Sequence, residues 1–305
     1  MLKLTACITT FNRWHSCLNA LESVCNQMKE GLEVILVDDC SSKAMPEEVN
    51  HFIKTNPVIY IRHETNQGLA GARNTAIEAA SGQYFAFCDD DDAWPPNFAL
   101  RLLSVLENSP SDVSMAVALP PILRRHWQQV FTDYPKLTDI ILQGVTPPVS
   151  SQAYQTRILR EVGGYDPKIK SGVDHDLWLS LAKIYPRVGV TWGEPAIVED
   201  NPRSIRMTTA EEKRRAKVAE ALTIWKPKIV EVFGDHFYLH FCQSYQQYVD
   251  YDFFIKSVKR GELLTAFKKV FNPHVLNKLP KHIFNKAIGR KPCHDFPKYQ
   301  NQFMQ

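Results

Sequence analysis

Gln83-Tyr84-Phe85-Ala86-Phe87-Cys88 runs straight into Asp89-Asp90-Asp91-Asp92. Tyr84-Phe85-Ala86-Phe87 is an unbroken apolar run of strand length, the pattern of a strand buried on both faces. Its abrupt end in four carboxylates marks the point where the chain leaves the core. Working outward, the pattern recurs. Residues 2–8 form a β-rich run ending in Thr9-Thr10-Phe11-Asn12-Arg13, and residues 33–37 end in Asp38-Asp39-Cys40-Ser41. Residues 58–61 are strand-like and lead to Asn66-Gln67-Gly68 and an Ala-rich helix over 69–80. Helical spacing fills the gaps at 13–27, 46–54 and 96–106, before a further strand at 113–119. Strands alternating with helices predict an α/β fold, a parallel sheet with helices on both faces.

Beyond residue 120 the signal thins. Prolines at 120, 121, 135, 147 and 148 predict extended segments and loops over 120–150, a place for an acceptor-facing insertion. Regular structure returns at 153–162 and in a helix over 174–184. From about residue 208 the character changes to helices over 209–224 and 229–249, then a basic stretch broken by Pro273 and Pro280. The expected organisation is a catalytic domain over 1–208 and a helical, basic extension over 209–305.

With 305 residues, 44% of them hydrophobic, the chain can bury a sizeable core. A net charge of +3 is too small to argue for nucleic acid. Seven scattered cysteines with no CxxC pair fit reduced thiols in a cytoplasmic protein. The N-terminus reads as a first strand rather than a leader, and no stretch approaches the ~20 apolar residues of a spanning helix. An integral membrane protein is not expected.

In an open α/β sheet, ligands bind outside the carboxyl ends of the strands. Here several strand ends bring acidic, hydroxyl and Gly-rich groups to one rim. Four adjacent carboxylates raise one another's pKa unless a cation sits among them, and hard divalent cations take such oxygens together with substrate phosphates. An EF-hand does not fit, because position six counted from Asp89 is Trp94 and position twelve is Leu100. An acidic helix N-terminus ahead of Pro95-Pro96 accounts for one or two of the aspartates, not four.

Taken together, Ile8 to Arg13, Val37 to Ser41, Asn66-Gln67-Gly68 through Ala72-Arg73-Asn74, Phe87 to Pro95, Val162 to Asp166 and Asp174 to Leu179 resemble the bacterial family 2 glycosyltransferases. The match spans roughly residues 1–208 in the family's order. It implies a GT-A type nucleotide-binding sheet and a metal-dependent, inverting transfer from a nucleotide-diphosphate sugar, with UDP favoured. By the resemblance, Thr9, Phe11 and Asp39 fall on nucleobase-binding positions, with Asn12 and Arg13 in the same donor loop. Arg73 falls on a basic position near the base and phosphates. Asp89–Asp91 overlie the DxD motif, with Asp91 on Mn²⁺ or Mg²⁺ and Asp90 or Asp89 on the ribose. Asp174 matches the catalytic base, with Asp176 its rival, since Val173 stands where the family usually has an acid. Asp174 also reads as a plain helix N-cap ahead of Leu177, Trp178 and Leu181. Trp178 reads as core.

Arg203 and Arg206 resemble a loop that closes over donor phosphates, and an ordinary surface loop reads equally well. His236 and His240 stand at i, i+4 with no third ligand in view. Between 256 and 291 there are ten Lys/Arg and one acid, Glu262, interleaved with apolar residues. This is the composition of a peripheral contact with an anionic membrane, where a lipid-linked saccharide acceptor is met, or else of a helical cap. The expected pathway is cell-surface polysaccharide or lipopolysaccharide assembly, at the inner face of the cytoplasmic membrane. The rival class is a sugar-phosphate nucleotidyltransferase, which usually has a Gly-rich loop after strand one; here that loop is Thr-Thr-Phe-Asn-Arg. A dehydrogenase lacks its GxGxxG, and a sugar-binding module needs neither nucleotide rim nor metal cluster.

Overall fold

The computed structural model describes residues 3–27, 30–125, 128, 132–142, 147–198 and 211–259. The chain divides into two compact units, residues 1–137 with 147–199, and residues 138–146 with 200–305. Arg203, Arg206 and the basic stretch from residue 260 onward lie outside the described residues.

The first unit is built on β1 (Leu4–Thr10), α1 (Trp14–Cys25), β2 (Leu32–Asp38), α2 (Glu47–Thr55), β3 (Val58–Arg62), α3 (Gly68–Ala79) and β4 (Tyr84–Asp89). It continues through β5 (Asp92–Ala93), α4 (Phe98–Glu107) and β6 (Val113–Leu119); α5 (Leu137–Leu142), next in the chain, belongs from residue 138 onward to the second unit. Next come β7 (Gln152–Gln155), α6 (Thr156–Glu161), α7 (Val173–Ile184), β8 (Arg187–Trp192) and β9 (Ile197–Val198). Seven strands form one sheet in the order β3-β2-β1-β4-β7-β6-β8, and β5 pairs with β9 beside it.

The registers align the rim. Thr9 of β1 stands opposite Val37 of β2 and Asp89 of β4. Alternation along the strands feeds both faces. Leu4, Ala6, Ile8, Val34, Leu36, Ala86 and Cys88 share one core with Leu21 and Val24 of α1 and Leu102 and Leu106 of α4. On the opposite face α3 packs over β1 and β2, and the Phe87 ring meets Tyr154 and Tyr165 edge-on. Such edge-to-face packing is the favoured geometry for aromatic rings.

The sheet differs from expectation in being mixed. β7 is antiparallel to both β4 and β6, while the other pairs in the sheet run parallel. The reason is connectivity: the chain leaves β6 at the rim, and after residues 120–151 it re-enters the sheet from that same rim. The segment predicted as loops holds short helical turns at Pro121–Leu123 and Val149–Ser151, and α5. The Val149–Ser151 turn places Ser150 and Ser151 under the acidic rim.

In the second unit, α8 (Glu211–Phe233) and α9 (Asp235–Lys259) form a helical pair. Trp225 and Phe241 meet at 6.4 Å, nearly perpendicular, and Arg215 pairs with Asp250. The expected break between residues 224 and 229 is absent: α8 runs through Pro227, and the break falls at Gly234, φ 88°. Proline removes one helical N–H and can be absorbed as a kink, whereas a left-handed glycine ends the helix. Among the described residues no helix is long and apolar enough to cross a membrane. Their six cysteines are all free.

Candidate active site

Asp89, Asp91 and Asp92 can bring one carboxylate oxygen each within 4.8 Å of one another, the one His/Cys/Asp/Glu grouping of this kind among the described residues. Oxygens sharing a hard cation lie roughly 3–5 Å apart, given metal–oxygen distances of about 2.0–2.6 Å, so the three fit a divalent ion. They are not a helix N-terminus. Asn97 takes a left-handed φ of 60° after the two prolines, and α4 begins only at Phe98.

Asp90 turns away from this group. It is fully buried and pairs with Arg13, whose Nη1 also donates to Asp91 at 2.8 Å. Burial pushes the Asp90 carboxyl up to about 7, against the pull of Arg13 and Thr10, with Asp91 and Asp89 adding to the rise. Ser150, also fully buried, ties the cluster together from below. Its hydroxyl accepts from the Asp89 N–H at 2.9 Å and donates to Asp92 at 2.6 Å. Nothing in the local pattern of residues 147–151 marks this serine; the contact depends on how β7 enters the sheet.

Arg73 projects from α3 and is 1% exposed. One guanidinium nitrogen donates to Asp174 at 2.7 Å and another to Asp89 at 2.9 Å, while the group lies 5.1 Å over the Phe87 ring and 5.2 Å over the Tyr165 ring. Burial alone would lower its pKa, but Asp174, Tyr165 and Asp89 outweigh that and hold it charged. The residue expected near the base and phosphates is thus an internal bridge between the acidic cluster and Asp174.

Asp174 is the second residue of α7, and the N-cap is Gly172 at φ 73° with no side-chain cap bond, so the N-cap explanation falls. Its carboxyl is partly open, contacts Arg73, and lies 3.4 Å from the Tyr165 hydroxyl. Burial raises its pKa, Arg73 opposes, and Asp89 adds. Tyr165 is held in turn by Asn74, which exchanges two 2.8 Å hydrogen bonds with the Tyr165 backbone. That clamp requires Gly164, where a Cβ would come within 2.5 Å of the Asn74 oxygen. Asp176, the rival, is 1% exposed. Trp178 is buried as expected, with its indole N–H 3.1 Å from the Gln152 oxygen.

On the other side of β1 the rim is a second cluster. Phe11 is 48% exposed, while Thr9, within β1, is buried. Asn12, at φ 63°, accepts from the Lys43 N–H at 2.8 Å and donates its own N–H to Ser41, stitching the first two rim loops together. Asp39 accepts from the Gln67 and Gly68 N–H groups at the start of α3, at 2.7 and 2.8 Å. It also meets His63 Nδ1 at 2.8 Å. His63 was not singled out in the sequence, because a lone histidine after a strand carries no pattern.

The glycosyl transferase family 2 model matches residues 5–152, which hold the acidic cluster, Arg73 and Asp39. The chain carries a family 2 glycosyltransferase domain. An uncharacterized glycosyltransferase of Haemophilus influenzae is 36% identical over 108 residues, 35% of this chain and 36% of that protein. The chain therefore spans about a third of that relative's length. The putative colanic acid biosynthesis glycosyl transferase WcaA of Escherichia coli is 28% identical over 222 residues, 66% of this chain and 71% of WcaA. Residues 1–349 of S. aureus TarS in complex with UDP-GlcNAc superpose with a TM-score of 0.57 at 19% identity, covering 95% of this chain and 93% of that one. The mannosyltransferase PcManGT from Pyrobaculum calidifontis, in complex with GDP-Man and Mn²⁺, gives 0.57 at 17% identity, covering 95% and 88%. At such identities the likeness establishes the fold, which is GT-A.

Proposed function

We propose that the protein transfers a sugar, with inversion, from a nucleoside-diphosphate sugar to a hydroxyl of a saccharide acceptor. The observation that carries this reading is the Arg73 bridge, which places a partly open carboxylate, Asp174, beside the acidic cluster. Asp89, Asp91 and Asp92 would hold Mn²⁺ or Mg²⁺, whose charge offsets that building on the leaving diphosphate. Asp174 takes the proton of the attacking hydroxyl, a poor nucleophile at neutral pH. Because Asp90 is turned inward on Arg13, Asp89 is the better ribose contact of the two. Thr9, Phe11, Asn12, Arg13 and Asp39 form the nucleotide side of the rim, with Phe11 offering a ring for the base. UDP is the favoured carrier in this reading; of the two fold neighbours, one binds UDP-GlcNAc and the other GDP-Man. A lipid-linked acceptor of surface polysaccharide, met at the membrane through residues 256–291, fits the basic composition of that stretch.

The test is a panel of nucleotide sugars with and without Mn²⁺, followed by slow donor hydrolysis and thermal shift. Metal-dependent release of one nucleoside diphosphate supports the proposal. Formation of a nucleotide sugar from a nucleoside triphosphate and a sugar phosphate would turn it toward a nucleotidyltransferase.

A further inference from the structure

His63 is buried between two partners from different elements. Its Nδ1 lies 2.8 Å from Asp39 and its Nε2 lies 2.9 Å from the Thr75 hydroxyl of α3. An ionised carboxylate has no proton to give, so the contact at Nδ1 puts a proton there. The Thr75 hydroxyl has one proton and two acceptors in reach, Nε2 at 2.9 Å and the Gly71 carbonyl at 3.2 Å. Whichever of the two it donates to, the proton at Nδ1 is aimed at Asp39. Asp39 thus receives three N–H groups, from Gln67, Gly68 and His63. A carboxylate has about four acceptor positions, so roughly one is left over. Asp39 directly follows β2, and its N–H donates at 2.9 Å to the carbonyl of Thr10, the residue before the exposed Phe11.

We propose that His63 is a positioning residue for nucleobase selection, holding Asp39 as a fixed, acceptor-only carboxylate through the Thr75–His63–Asp39 relay. It rests on the proposed role of this rim in binding the donor nucleotide. A fixed acceptor favours bases that present a ring N–H on their pairing edge, as uracil, thymine and guanine do. Cytosine and adenine present a bare ring nitrogen there, and two facing acceptors repel. A site built around one hydrogen bond rejects ligands that cannot make it more strongly than an apolar pocket does. Without the histidine the carboxylate can rotate, and the selection is lost.

Binding of UDP, GDP, CDP and ADP, each with Mn²⁺, is measured by calorimetry on the wild type, His63→Ala, His63→Asn and Thr75→Val. Melting without ligand reports the fold of each. The wild type should bind UDP or GDP well ahead of CDP and ADP. His63→Ala should lose about tenfold or more on the preferred nucleotide, the scale of a hydrogen bond to a charged group. Its affinity for CDP should not change, so discrimination collapses. His63→Asn keeps a donor toward Asp39 and should restore most of it, and Thr75→Val should fall between. Wild-type preference retained in His63→Ala overturns the proposal. If His63→Ala does not fold, loss of discrimination in a folded His63→Asn overturns it instead. A wild type that binds none of the four overturns the nucleotide-sugar reading itself.

Discussion

The two ends of the central strands both carry buried carboxylates, and they use them differently. At the start of β2, Glu33 receives the Thr5 hydroxyl at 2.6 Å and the Ser81 N–H at 2.8 Å, while Thr5 accepts from the Gly82 N–H at 2.9 Å. That network joins three segments and is satisfied by its own members. At the opposite end, four carboxylates, Asp89 to Asp91 and Asp174, pair with two guanidinium groups, Arg13 and Arg73, and a fifth, Asp92, lies beside them. Like charges crowded in a partly desolvated site raise one another's pKa, and folding alone does not neutralise them. The lower network holds three segments together; the upper cluster keeps a net negative charge that a bound cation would offset.

The largest effect should come at the cation-facing oxygens. Asp91→Ala should abolish transfer with the fold intact, and EDTA should do the same to the wild type. Full turnover in EDTA would erase the contrast between the two ends. Next in size is Asp174→Asn, expected to lower turnover by roughly 10²–10⁴-fold, the usual worth of a general base. Nucleotide affinity should stay put. Asp176→Asn should act on the melting temperature instead, and an inactive, well-folded Asp176→Asn would move the base to that residue.

A change at the other end should show the reverse pattern. Thr5→Val strips a buried donor from Glu33 and should cost about 1–3 kcal/mol of stability, read by denaturant unfolding. Turnover of the folded fraction should be unaltered; a fall in turnover would make the lower network part of the site. The smallest effect concerns pH. Asp174 works ionised and its pKa is raised by burial, so activity should fall on the acid side at a higher pH than for an ordinary aspartate. Arg73 pulls that pKa down, so Arg73→Gln should move the acid limb upward, and a downward move would contradict the bridge.

Much of this was legible early. The Tyr84–Asp89 strand and the acidic run after it, the Trp14–Cys25 helix and the rim loops all follow from apolar period and strand-end chemistry, which are local properties of the chain. Even so, the two C-terminal helices, expected over 209–224 and 229–249, part at Gly234 instead, because a proline inside a helix can be absorbed as a kink.

By itself, the sequence determined the alternation of strands and helices, the buried strands, and the convergence of strand ends on one acidic rim, since each depends on neighbours a few residues apart. Only the tertiary structure decided which aspartates face the rim and which, like Asp90, turn inward. It also decided that Arg73 reaches Asp174 across 101 residues, and that Ser150 closes the cluster on Asp89 across 61. A charged side chain takes its partner from whatever the packed core brings within about 3 Å. Local periodicity fixes which face a residue occupies and leaves that partner unspecified.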